Sequence, residues 1–344
     1  MGVDLGDIIP AKETELGFFS GKTLAVDAFN TIYQFLASTR QYDGTLLMDS
    51  KGRVTSHLSG LFYRNLKLIK GGIRLCYVFD GKPPEFKDRT IQERAARKLV
   101  AEEKYKLAIE EGFYDEARKY AQATSRVSAE MIEESKKLLG HMGIACLTAP
   151  SEGEAQAATM AMDGLVYGVS SQDYDSLVFG SPRLVKNLSI TGRRKVPRKD
   201  EYVQVNPEVL ELGPALDALG ISREKLVWMA ILVGTDFNVG AKGIGPKKAL
   251  KLVKQFDDFG KLIGEAEAKS GCKFEEYILE VKEFFMHPPA TKAAIKFPEI
   301  DSGAIVRLLC DEHEFSQERV QNALGDIEKA KDLQKQKKLD QFFG

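Results

Sequence analysis

The stretch PSEGEAQAATMAMDGLVYGVSSQDYDSLVF, residues 150–179, decides the fold and carries two acidic couples. Glu152 and Glu154 open a predicted helix, whereas Asp173 and Asp175 follow the apolar run LVYGVSS, which predicts a buried strand. Carboxylates held a few ångströms apart raise one another's pKa. A cation among them removes that repulsion, and hard divalent ions such as Mg²⁺ prefer oxygen ligands.

Each couple also has a purely structural interpretation. Ser151 and Glu154 have the S-x-x-E spacing of a capping box, in which side chains bind the first amides of a helix. Asp173 and Asp175 are residues of a type that commonly ends a strand in a turn. We favour a metal site over both interpretations because further acids follow other apolar runs.

Three more aspartates come after apolar segments. Asp27 ends KTLAVD, Asp80 follows IRLCYVF, and Asp236 comes shortly after WMAILV. Apolar strand candidates that alternate with amphipathic helices predict an α/β fold with a mostly parallel, twisted sheet flanked by helices. Ligands of such sheets bind beyond the carboxyl ends of the strands. The acids are therefore expected to converge at one edge of the sheet.

The residue types in this cluster indicate its chemistry. A carboxylate cluster without His or Cys favours Mg²⁺ or Mn²⁺ over zinc. Two such ions about 3.5–4 Å apart can activate a water and stabilise the leaving oxygen of a phosphodiester. The sequence shows no Ser-His-Asp or Cys-His pattern, which disfavours covalent catalysis. Metal-dependent hydrolysis of phosphodiesters is the predicted reaction class.

The composition indicates the class of protein but does not identify a binding partner. Of 344 residues, 43% are hydrophobic and 29% are charged, as in ordinary globular proteins. The net charge of -1 neither supports nor excludes nucleic acid, since a basic face can coexist with an acidic pocket. Scattered cysteines without a C-x-x-C pair fit a reducing compartment, and no apolar run is long enough to cross a membrane. We expect an intracellular location, in the cytoplasm or at the nucleoid.

The best candidate for nucleic-acid binding is GAKGIGPKKAL, residues 240–250. Gly243 and Gly245 permit a tight hairpin, and Pro246 suits the first turn of a helix whose amides can face a phosphate. Three lysines add positive charge beside the hairpin: Lys242, Lys247 and Lys248. The alternative is an ordinary helix connection with solvated lysines. The combination of glycines, proline and lysines favours a helix-hairpin-helix element.

The segment from Phe86 to Arg126 has a different character. It is rich in Lys, Arg, Glu and Ala, and predicts helices that lie outside the core. Lys87, Arg94 and Lys98 fall on one helical face and could reach a phosphate at the acidic site. The alternative is a solvated helix with i, i+4 ion pairs, which the residues alone favour.

The last residues, QKKLDQFFG at 336–344, form a separate motif. Gln336, Leu339, Phe342 and Phe343 fit the pattern Q-x-x-apolar-x-x-aromatic-aromatic. Two phenylalanines at the end of a polar tail predict a partner groove that receives a short helical turn. The alternative is a tail that docks on its own domain.

Together these motifs resemble the flap structure-specific endonucleases of archaea and eukaryotes. The resemblance covers essentially the whole chain, with VFDGKPPEFK, PSEGEAQAA, SSQDYDSLVFG, VGTDFNVGAKGIGPKKAL and QKKLDQFF in the family order. The set is highly specific, whereas any one motif alone would not be. Without a long basic extension after the final phenylalanines, the chain is similar to the archaeal members.

The resemblance implies roles at the active site. Seven acids match a site for two Mg²⁺ ions, which Mn²⁺ can replace: Asp27, Asp80, Glu152, Glu154, Asp173, Asp175 and Asp236. Lys87 and Arg94 match a basic pair at the base of a helical arch that contacts the scissile phosphate, which reverses the preference for a solvated helix. Tyr33 matches an aromatic that stacks on a base. Gly2, exposed once Met1 is removed, matches an N-terminus near the metals.

The resemblance also implies binding sites for DNA and a protein partner. A duplex-binding hairpin, where family members also hold K⁺, matches Gly243, Gly245, Lys247 and Lys248. A pocket for a one-nucleotide 3′ flap matches Thr55, Phe315 and Arg319. The tail matches a motif that docks on the sliding clamp. Phe237 departs from the family, which has Tyr after the last aspartate, and we expect its ring rather than a hydroxyl to pack there.

The implied organisation is a single nuclease domain followed by a flexible tail. The domain covers 1–325, with an N-terminal part at 1–98, an arch at about 84–128, and an internal part at 128–256 that includes the hairpin motif at 236–250. The tail covers 326–344, with the clamp motif at 336–343. The implied function is that of a monomeric 5′-flap endonuclease and 5′–3′ exonuclease on branched DNA, in Okazaki-fragment maturation and repair.

Two other functions compete with this one. A related nuclease could act on bubbles, four-way junctions or RNA, although the clamp motif and the compact arch segment disfavour it. A non-catalytic junction binder could recruit the clamp, although such a protein would be expected to lack some of the seven acids.

Overall fold

The structure is a computed structural model of the chain, and it describes residues 3–41, 43–110, 116, 120, 124, 126–190, 192–195 and 202–326. The strands are β1 (Lys12–Glu13), β2 (Thr23–Asp27), β3 (Arg74–Phe79), β4 (Ala145–Thr148), β5 (Gly168–Ser170), β6 (Arg183–Lys186), β7 (Gly192–Lys195), β8 (Tyr202–Val205) and β9 (Glu208–Glu211). The α-helices are α1 (Ala28–Ser38), α2 (Ser56–Lys70), α3 (Asp88–Glu110), α4 (Ala129–His141), α5 (Gly153–Met162), α6 (Asp175–Val178), α7 (Leu212–Leu219), α8 (Arg223–Val233), α9 (Pro246–Val253), α10 (Phe259–Ser270), α11 (Ile278–Met286) and α12 (Ser302–Val306). Short 3-10 turns cover Leu16–Phe19 and Glu85–Lys87, a π-helical turn covers Arg307–Glu312, and a further helix covers 317–326.

A seven-stranded sheet in the order β1-β9-β6-β5-β2-β3-β4 forms the centre of the fold. The five neighbouring strands β6, β5, β2, β3 and β4 pair in parallel. Strands β9 and β1 are added antiparallel beside β6. Strands β7 and β8 form a separate antiparallel hairpin. The predicted α/β fold with a mostly parallel sheet is confirmed.

Strand β2 shows why the sheet forms at these residues. Leu24 and Val26 pack into the apolar cluster on one face, and Ala25 packs into the cluster on the other. A parallel strand that is covered on both faces needs a continuous apolar run rather than an alternating one. At the end of this run, Asp27 accepts the Asn30 amide at 3.0 Å and so caps helix α1.

The two faces of the sheet are covered differently. Helices α1, α2 and α4, together with the C-terminal residues 305–324, pack on one face. Helix α5 and side chains of the segment 293–297 pack on the other. A third apolar cluster is centred on α8 and joins α9, α10 and α11 to the N-terminal residues Val3, Leu5 and Ile9.

The apolar run before Asp236 is a helix that lies outside the sheet. The sequence placed WMAILV among the segments that bring acids to the sheet edge, but α8 spans Arg223–Val233. Leu226–Leu232 is buried throughout, so the helix has no polar face that would reveal its period. Ser222, which accepts the Lys225 amide at 3.2 Å, is the capping signal that distinguishes the helix from a strand.

None of the helices in the described part of the chain is long and apolar enough to span a membrane.

Candidate active site and nucleic-acid interface

Four adjacent parallel strands bring six of the predicted acids to one edge. Asp27 is the last residue of β2, and Asp80 directly follows β3. Glu152 and Glu154 come after β4, and Asp173 and Asp175 come after β5. Since the carboxyl ends of neighbouring parallel strands lie at the same edge, the topology collects these side chains as the sequence predicted. We call these six acids and Asp236 the acidic edge.

Asp236 joins the acidic edge from a turn after α8 rather than from the sheet. Within this turn Thr235 Oγ1 donates to Asn238 Oδ1 at 2.8 Å, and Asn238 Nδ2 donates to the Ile231 carbonyl at 2.8 Å. Burial raises the pKa of Asp175, and the Asp236 carboxylate is the next largest cause. Asp236 is therefore close enough to interact with the acid that follows β5.

Asn30 positions two of the acids and was not identified from the sequence. Its backbone amide donates to Asp27 at 3.0 Å, and its side-chain Nδ2 donates to Asp173 Oδ2 at 2.9 Å. One residue on α1 therefore connects the acids that follow β2 and β5. The available signal was the helix-cap spacing, because an aspartate followed three residues later by an amide side chain places that side chain above the strand end.

Gly153 connects two other strands of the acidic edge. Its amide donates to Asp80 Oδ1 at 2.7 Å, and a Cβ at this position would lie 2.8 Å from the same oxygen. The glycine between the two glutamates is therefore required by a close approach. The N-cap of α5 is Glu152, without a side-chain capping bond, so the capping box of Ser151 and Glu154, which was the alternative to a metal site, is not formed.

The N-terminal segment supplies a backbone donor to the acidic edge. The Val3 amide donates to Asp175 Oδ1 at 2.8 Å, in a buried contact. Val3 and Leu5 are buried in the cluster around α8, which fixes this amide in place. Gly2, the predicted N-terminal residue near the metals, lies outside the described residues.

Lys87 is a cation that faces the acidic edge. Its Nζ lies 2.5 Å from Glu152 Oε2, and both side chains are 12% exposed. Burial lowers the pKa of Lys87, but the Glu152 carboxylate, followed by Asp80 and Asp236, raises it above its ordinary value overall. The ammonium is therefore held charged among the acids.

The acids remain short of positive charge despite this lysine. Burial, followed by repulsion from Asp80, raises the pKa of Asp27 well above its ordinary value. Burial and then Asp27 and Asp175 do the same to the pKa of Glu154. The pKa of Asp175 is raised to about 8. Such a cluster stores electrostatic repulsion that a bound cation would relieve.

The donor set of the acidic edge fits a hard divalent ion. Among the described residues, Glu154 Oε1 is buried without a hydrogen-bond partner, which leaves a carboxylate oxygen unsatisfied. Across the same residues, no three or more His, Cys, Asp or Glu side chains form a group that could hold a metal ion by itself. Mg²⁺ does not need one, because it usually keeps several waters and is held by one or two carboxylates plus phosphate oxygens.

Two other residues of the predicted active site, Tyr33 and Arg94, belong to helices α1 and α3. Tyr33 lies on α1 with 37% of its surface exposed, and Lys98 Nζ lies 5.0 Å from the centre of its ring. Lys98 belongs to α3, which rises from the sheet directly after Lys87. Arg94 lies on the same helix, but its side chain is outside what the structure describes. The exposed ring thus lies near α3, and its stacking on a base stays a prediction.

The predicted hairpin forms at the expected residues. Gly243 has φ +78°, a value that favours glycine, and Gly245 caps helix α9, with Pro246 as its first residue. Lys242, Lys247 and Lys248 are exposed. The hairpin lines a cleft of about 740 Å³, whose opposite wall is formed by residues 272–275.

Lys248 bears on the predicted potassium site. Its Nζ donates to the Gly243 carbonyl at 2.9 Å, so this oxygen already has a cationic partner. Lys247 Nζ lies 3.6 Å from Asp7 in an exposed pair, which is weak at the surface. K⁺ binding at the hairpin stays a prediction.

The structure brings together the two segments that carry the predicted 3′-flap pocket. Thr55 is buried at the start of α2, Phe315 is half-buried, and Arg319 is exposed. The Ser50 amide donates to Glu314 Oε2 at 2.8 Å, and this contact holds the turn before Thr55 against the segment that carries Phe315 and Arg319.

Beneath this region lies a group that the sequence did not reveal. We call it the histidine network; it consists of Asp49, Arg53, His57, Glu134 and His313. His313 Nε2 lies 3.0 Å and His57 Nε2 lies 3.5 Å from the Glu134 carboxylate, while Arg53 Nε donates to Asp49 Oδ2 at 2.7 Å. Both imidazoles are fully buried. The network joins α2, α4 and the residues after the π-helical turn.

The predicted clamp motif, Gln336, Leu339, Phe342 and Phe343, lies outside the described residues.

The chain matches two family models and full-length relatives. A model described as the XPG N-terminal domain matches residues 4–101, and one described as the XPG I-region matches residues 143–236. A flap endonuclease 1 from Pyrococcus abyssi is 53% identical over 345 residues, covering 100% of this chain and 98% of the relative. A flap endonuclease 1 from Aeropyrum pernix is 50% identical over 352 residues, with 100% of both chains covered.

Solved structures share this fold. The flap endonuclease-1 from Methanococcus jannaschii superposes with a TM-score of 0.72 at 38% identity, covering 96% of this chain and 98% of that one. The catalytic core of Rad2 in complex with DNA substrate has a TM-score of 0.68 at 24% identity, covering 92% and 96%. The second likeness concerns the fold alone. With an acidic edge, a basic hairpin and matches along its full length, the chain belongs to the flap endonuclease family of XPG-type nucleases.

Proposed function

We propose that this chain is a Mg²⁺-dependent endonuclease that cuts 5′ flaps at the junction of single strand and duplex, in DNA replication and repair. The observation that carries the proposal is the acidic edge, where seven carboxylates from distant parts of the chain face one another with raised pKa values at Asp27, Asp80, Glu152, Glu154 and Asp175. The names of the relatives support the substrate. Okazaki-fragment maturation and a 5′–3′ exonuclease activity belong to the same proposal.

The chain's own residues divide the work of binding and cutting. The amides at the start of α9, together with Lys242, Lys247 and Lys248, would bind duplex phosphates. Tyr33 would stack on a base beside the active site. Lys87 and Arg94 would hold the scissile phosphate over the acidic edge. The position of the Lys87 ammonium, 2.5 Å from Glu152, supports this role.

The acidic edge would hold two Mg²⁺ ions, for which Mn²⁺ could substitute. When bound, such ions supply an activated water and stabilise the charge that develops on the leaving oxygen. The carboxylates then act as ligands rather than as nucleophiles. Asn30, Gly153 and Val3 keep these ligands oriented through their hydrogen bonds to Asp27, Asp173, Asp80 and Asp175.

The test is cleavage of end-labelled 5′-flap, 3′-flap, bubble and single-stranded DNA, with Mg²⁺ and with EDTA. We expect preferred cutting at the base of the 5′ flap and none in EDTA. Preferred cutting of bubbles or single strands would keep the metal site and reject the flap substrate. Binding of flap DNA without cutting in any divalent metal would instead support a junction-binding protein.

The tail is proposed to bind the sliding clamp, with the enzyme otherwise monomeric and intracellular. Deletion of residues 336–344 should remove stimulation by the clamp and leave basal cleavage unchanged. The control replaces Phe342 and Phe343 with Ala in the full-length chain, which should reproduce the loss of stimulation. A large loss of basal cleavage in either variant would mean that the tail serves the fold.

A further inference from the structure

Phe86 lies between two parts of the molecule that are far apart in sequence. It directly precedes Lys87 in the short 3-10 turn Glu85–Lys87, which leads into the arch helix α3. Its ring packs on the cluster around α8. It does not pack on the two sheet clusters that contain residues of β3, the strand that precedes it in the chain. The root of the arch is thus attached to the half of the molecule that carries the hairpin.

Three aromatic rings hold Phe86 in this place. The Phe237 ring lies 5.6 Å away edge-on, the Phe284 ring 5.4 Å away edge-on, and the Tyr277 ring 6.0 Å away in a stacked arrangement. Edge-to-face and offset contacts at such distances are favourable beyond the area they bury. Phe237 directly follows Asp236, so one partner of Phe86 belongs to the turn that carries an acid of the acidic edge.

The same ring of Phe237 also faces Lys87. The Lys87 ammonium lies 5.5 Å from the centre of the Phe237 ring and 2.5 Å from Glu152 Oε2. Phe86 and Lys87, which are neighbours in the chain, therefore contact the same aromatic ring. A lysine side chain has four rotatable bonds and a three-residue 3-10 turn has little stability of its own. The backbone position of Lys87 consequently depends on the packing of its neighbour Phe86 against the surrounding rings.

We propose that Phe86 is a positioning residue that fixes Lys87 against the acidic edge and ties its position to the turn at Phe237. The proposal rests on the proposed function, in which Lys87 contacts the scissile phosphate. Since the turn at 234–238 leads into the duplex-binding hairpin, Phe86 makes the placement of Lys87 depend on the same segment that receives the duplex.

The first experiment compares Phe86→Ala, Phe86→Leu and the wild type in single-turnover cleavage of 5′-flap DNA. A misplacement of about 1 Å can cost on the order of 10²-fold in rate. We expect Phe86→Ala to lower the maximal cleavage rate by roughly 10- to 100-fold, with flap affinity changed by no more than a few-fold. Phe86→Leu, which keeps apolar contact, should recover part of the rate.

The matched control is Phe297→Ala. Phe297 is also half-buried, and it contacts the Arg74 guanidinium at 3.9 Å, but it packs on the cluster around α5 and the segment 293–297 rather than on the cluster around α8. This variant should lower the melting temperature about as much as Phe86→Ala does, and leave the cleavage rate unchanged. A rate loss in Phe297→Ala equal to that in Phe86→Ala would reduce Phe86 to a stabilising residue and overturn the proposal.

The decisive measurement repeats Phe86→Ala and Phe297→Ala in a Lys87→Ala background. If Phe86 acts through Lys87, Phe86→Ala should have no further effect on the rate once Lys87 is absent. An additional loss of the same size as in the wild type would overturn the proposal. If the wild type does not cut 5′ flaps, or Lys87→Ala cuts as fast as the wild type, the proposed function itself fails, so the two failures are distinguishable.

Discussion

The acidic edge and the histidine network are both groups of buried ionisable side chains, but they balance their charges differently. At the acidic edge, burial raises the pKa of Asp27, Asp80, Glu152, Glu154 and Asp175, and nearby carboxylates add to the increase. In the histidine network, burial opposes ionisation too, but Arg53 lowers the pKa of Asp49, and the two histidines lower that of Glu134.

This difference in charge balance indicates that the acidic edge needs a ligand, whereas the histidine network stabilises the fold. The histidine network contains enough donors and cations to satisfy its carboxylates within the protein. Among the described residues, the acidic edge contains Lys87 and a few amides for seven acids. A fold tolerates such an excess of negative charge at one place when function requires it, because the same repulsion becomes affinity for a cation.

The largest expected effect is on cleavage by Asp175→Asn, which keeps the shape and the acceptor for the Val3 amide. Loss of a metal ligand removes several kcal/mol of charge stabilisation, and each ~1.4 kcal/mol is tenfold in rate. We expect a loss on the order of 10³-fold in Mg²⁺, with flap DNA binding retained. Single-turnover cleavage and a binding titration measure the two effects.

The comparison is sharpened by Glu134→Gln in the same assay. This variant removes a buried charge from the histidine network, so it should cut at the wild-type rate at a temperature where it is folded. Loss of cleavage comparable to that of Asp175→Asn would mean that the two groups are not functionally distinct.

The next effect is on the free energy of unfolding, which Glu134→Gln should lower and Asp175→Asn should raise. His57 and His313 face different oxygens of the Glu134 carboxylate, so Glu134→Gln leaves one of the two buried imidazoles without its acceptor. A buried polar group without its partner costs about 1–3 kcal/mol. Asp175→Asn removes repulsion and should stabilise the metal-free protein at neutral pH. Denaturant unfolding in EDTA measures both. Destabilisation by Asp175→Asn as large as that by Glu134→Gln would contradict our view of the acidic edge.

A smaller effect is the dependence of thermal stability on pH and metal. Asp175 has a pKa of about 8 in the folded chain, above the ordinary value of about 3.9 for an unfolded aspartate. Its contribution to stability is therefore present below about pH 4 and is lost as the pH rises towards 8. Asp49 and Glu134 have lowered pKa values, so their contribution is present at neutral pH and is lost as the pH falls into the acid range.

Calorimetric melting temperatures with Mg²⁺ and with EDTA separate the loss of stability at alkaline pH from the loss at acid pH. Mg²⁺ should raise the melting temperature most on the alkaline side, where the acidic edge is ionised, and change the acid limb little. Asp175→Asn should weaken the alkaline decline in EDTA. An equal gain from Mg²⁺ at all pH values would show that the ion does not bind these titrating carboxylates.

The sequence predicted those parts of the acidic edge that follow a local rule. Asp27 and Asp80 could be placed because each follows an apolar strand, and parallel strands end at one edge. The route of Asp236 could not be predicted, because a fully buried helix and a buried strand share the same unbroken apolar pattern. The cation facing the acids was placed among them by the resemblance, and residue types alone favoured a solvated helix there.

Contacts between distant segments were beyond the sequence pattern. The Val3 amide and Asp175 meet only because the N-terminal segment packs on α8. The same applies to His57 and His313, whose spacing in the sequence carries no signal of a shared carboxylate. Backbone donors and tertiary pairs of this kind depend on packing, which no period of hydrophobicity encodes.

The smallest expected effect tests whether the contact between Ser50 and Glu314, which are the neighbours in sequence of Asp49 and His313, supports the predicted 3′-flap pocket. Ser50 Oγ contacts Glu314 Oε1, while the Ser50 amide donates separately to Glu314 Oε2 at 2.8 Å. Ser50→Ala removes the hydroxyl contact and keeps the amide bond. Loss of one such contact costs about 0.5–1.5 kcal/mol, so the preference for a double flap with a one-nucleotide 3′ flap over a single 5′ flap should fall roughly two- to tenfold.

The ratio of the two cleavage rates isolates this pocket, because any change at the acidic edge affects both substrates equally. The matched control is Ser38→Ala, which removes an exposed helix hydroxyl that donates to the Gln34 carbonyl at 2.8 Å. It should leave the ratio unchanged. If Ser50→Ala also leaves the ratio unchanged, the contact between the turn at 49–53 and Glu314 only closes the fold, and the 3′ flap is bound elsewhere. If the ratio falls while cutting of the single flap is retained, the contact between Ser50 and Glu314 acts on substrate choice and the acidic edge on chemistry.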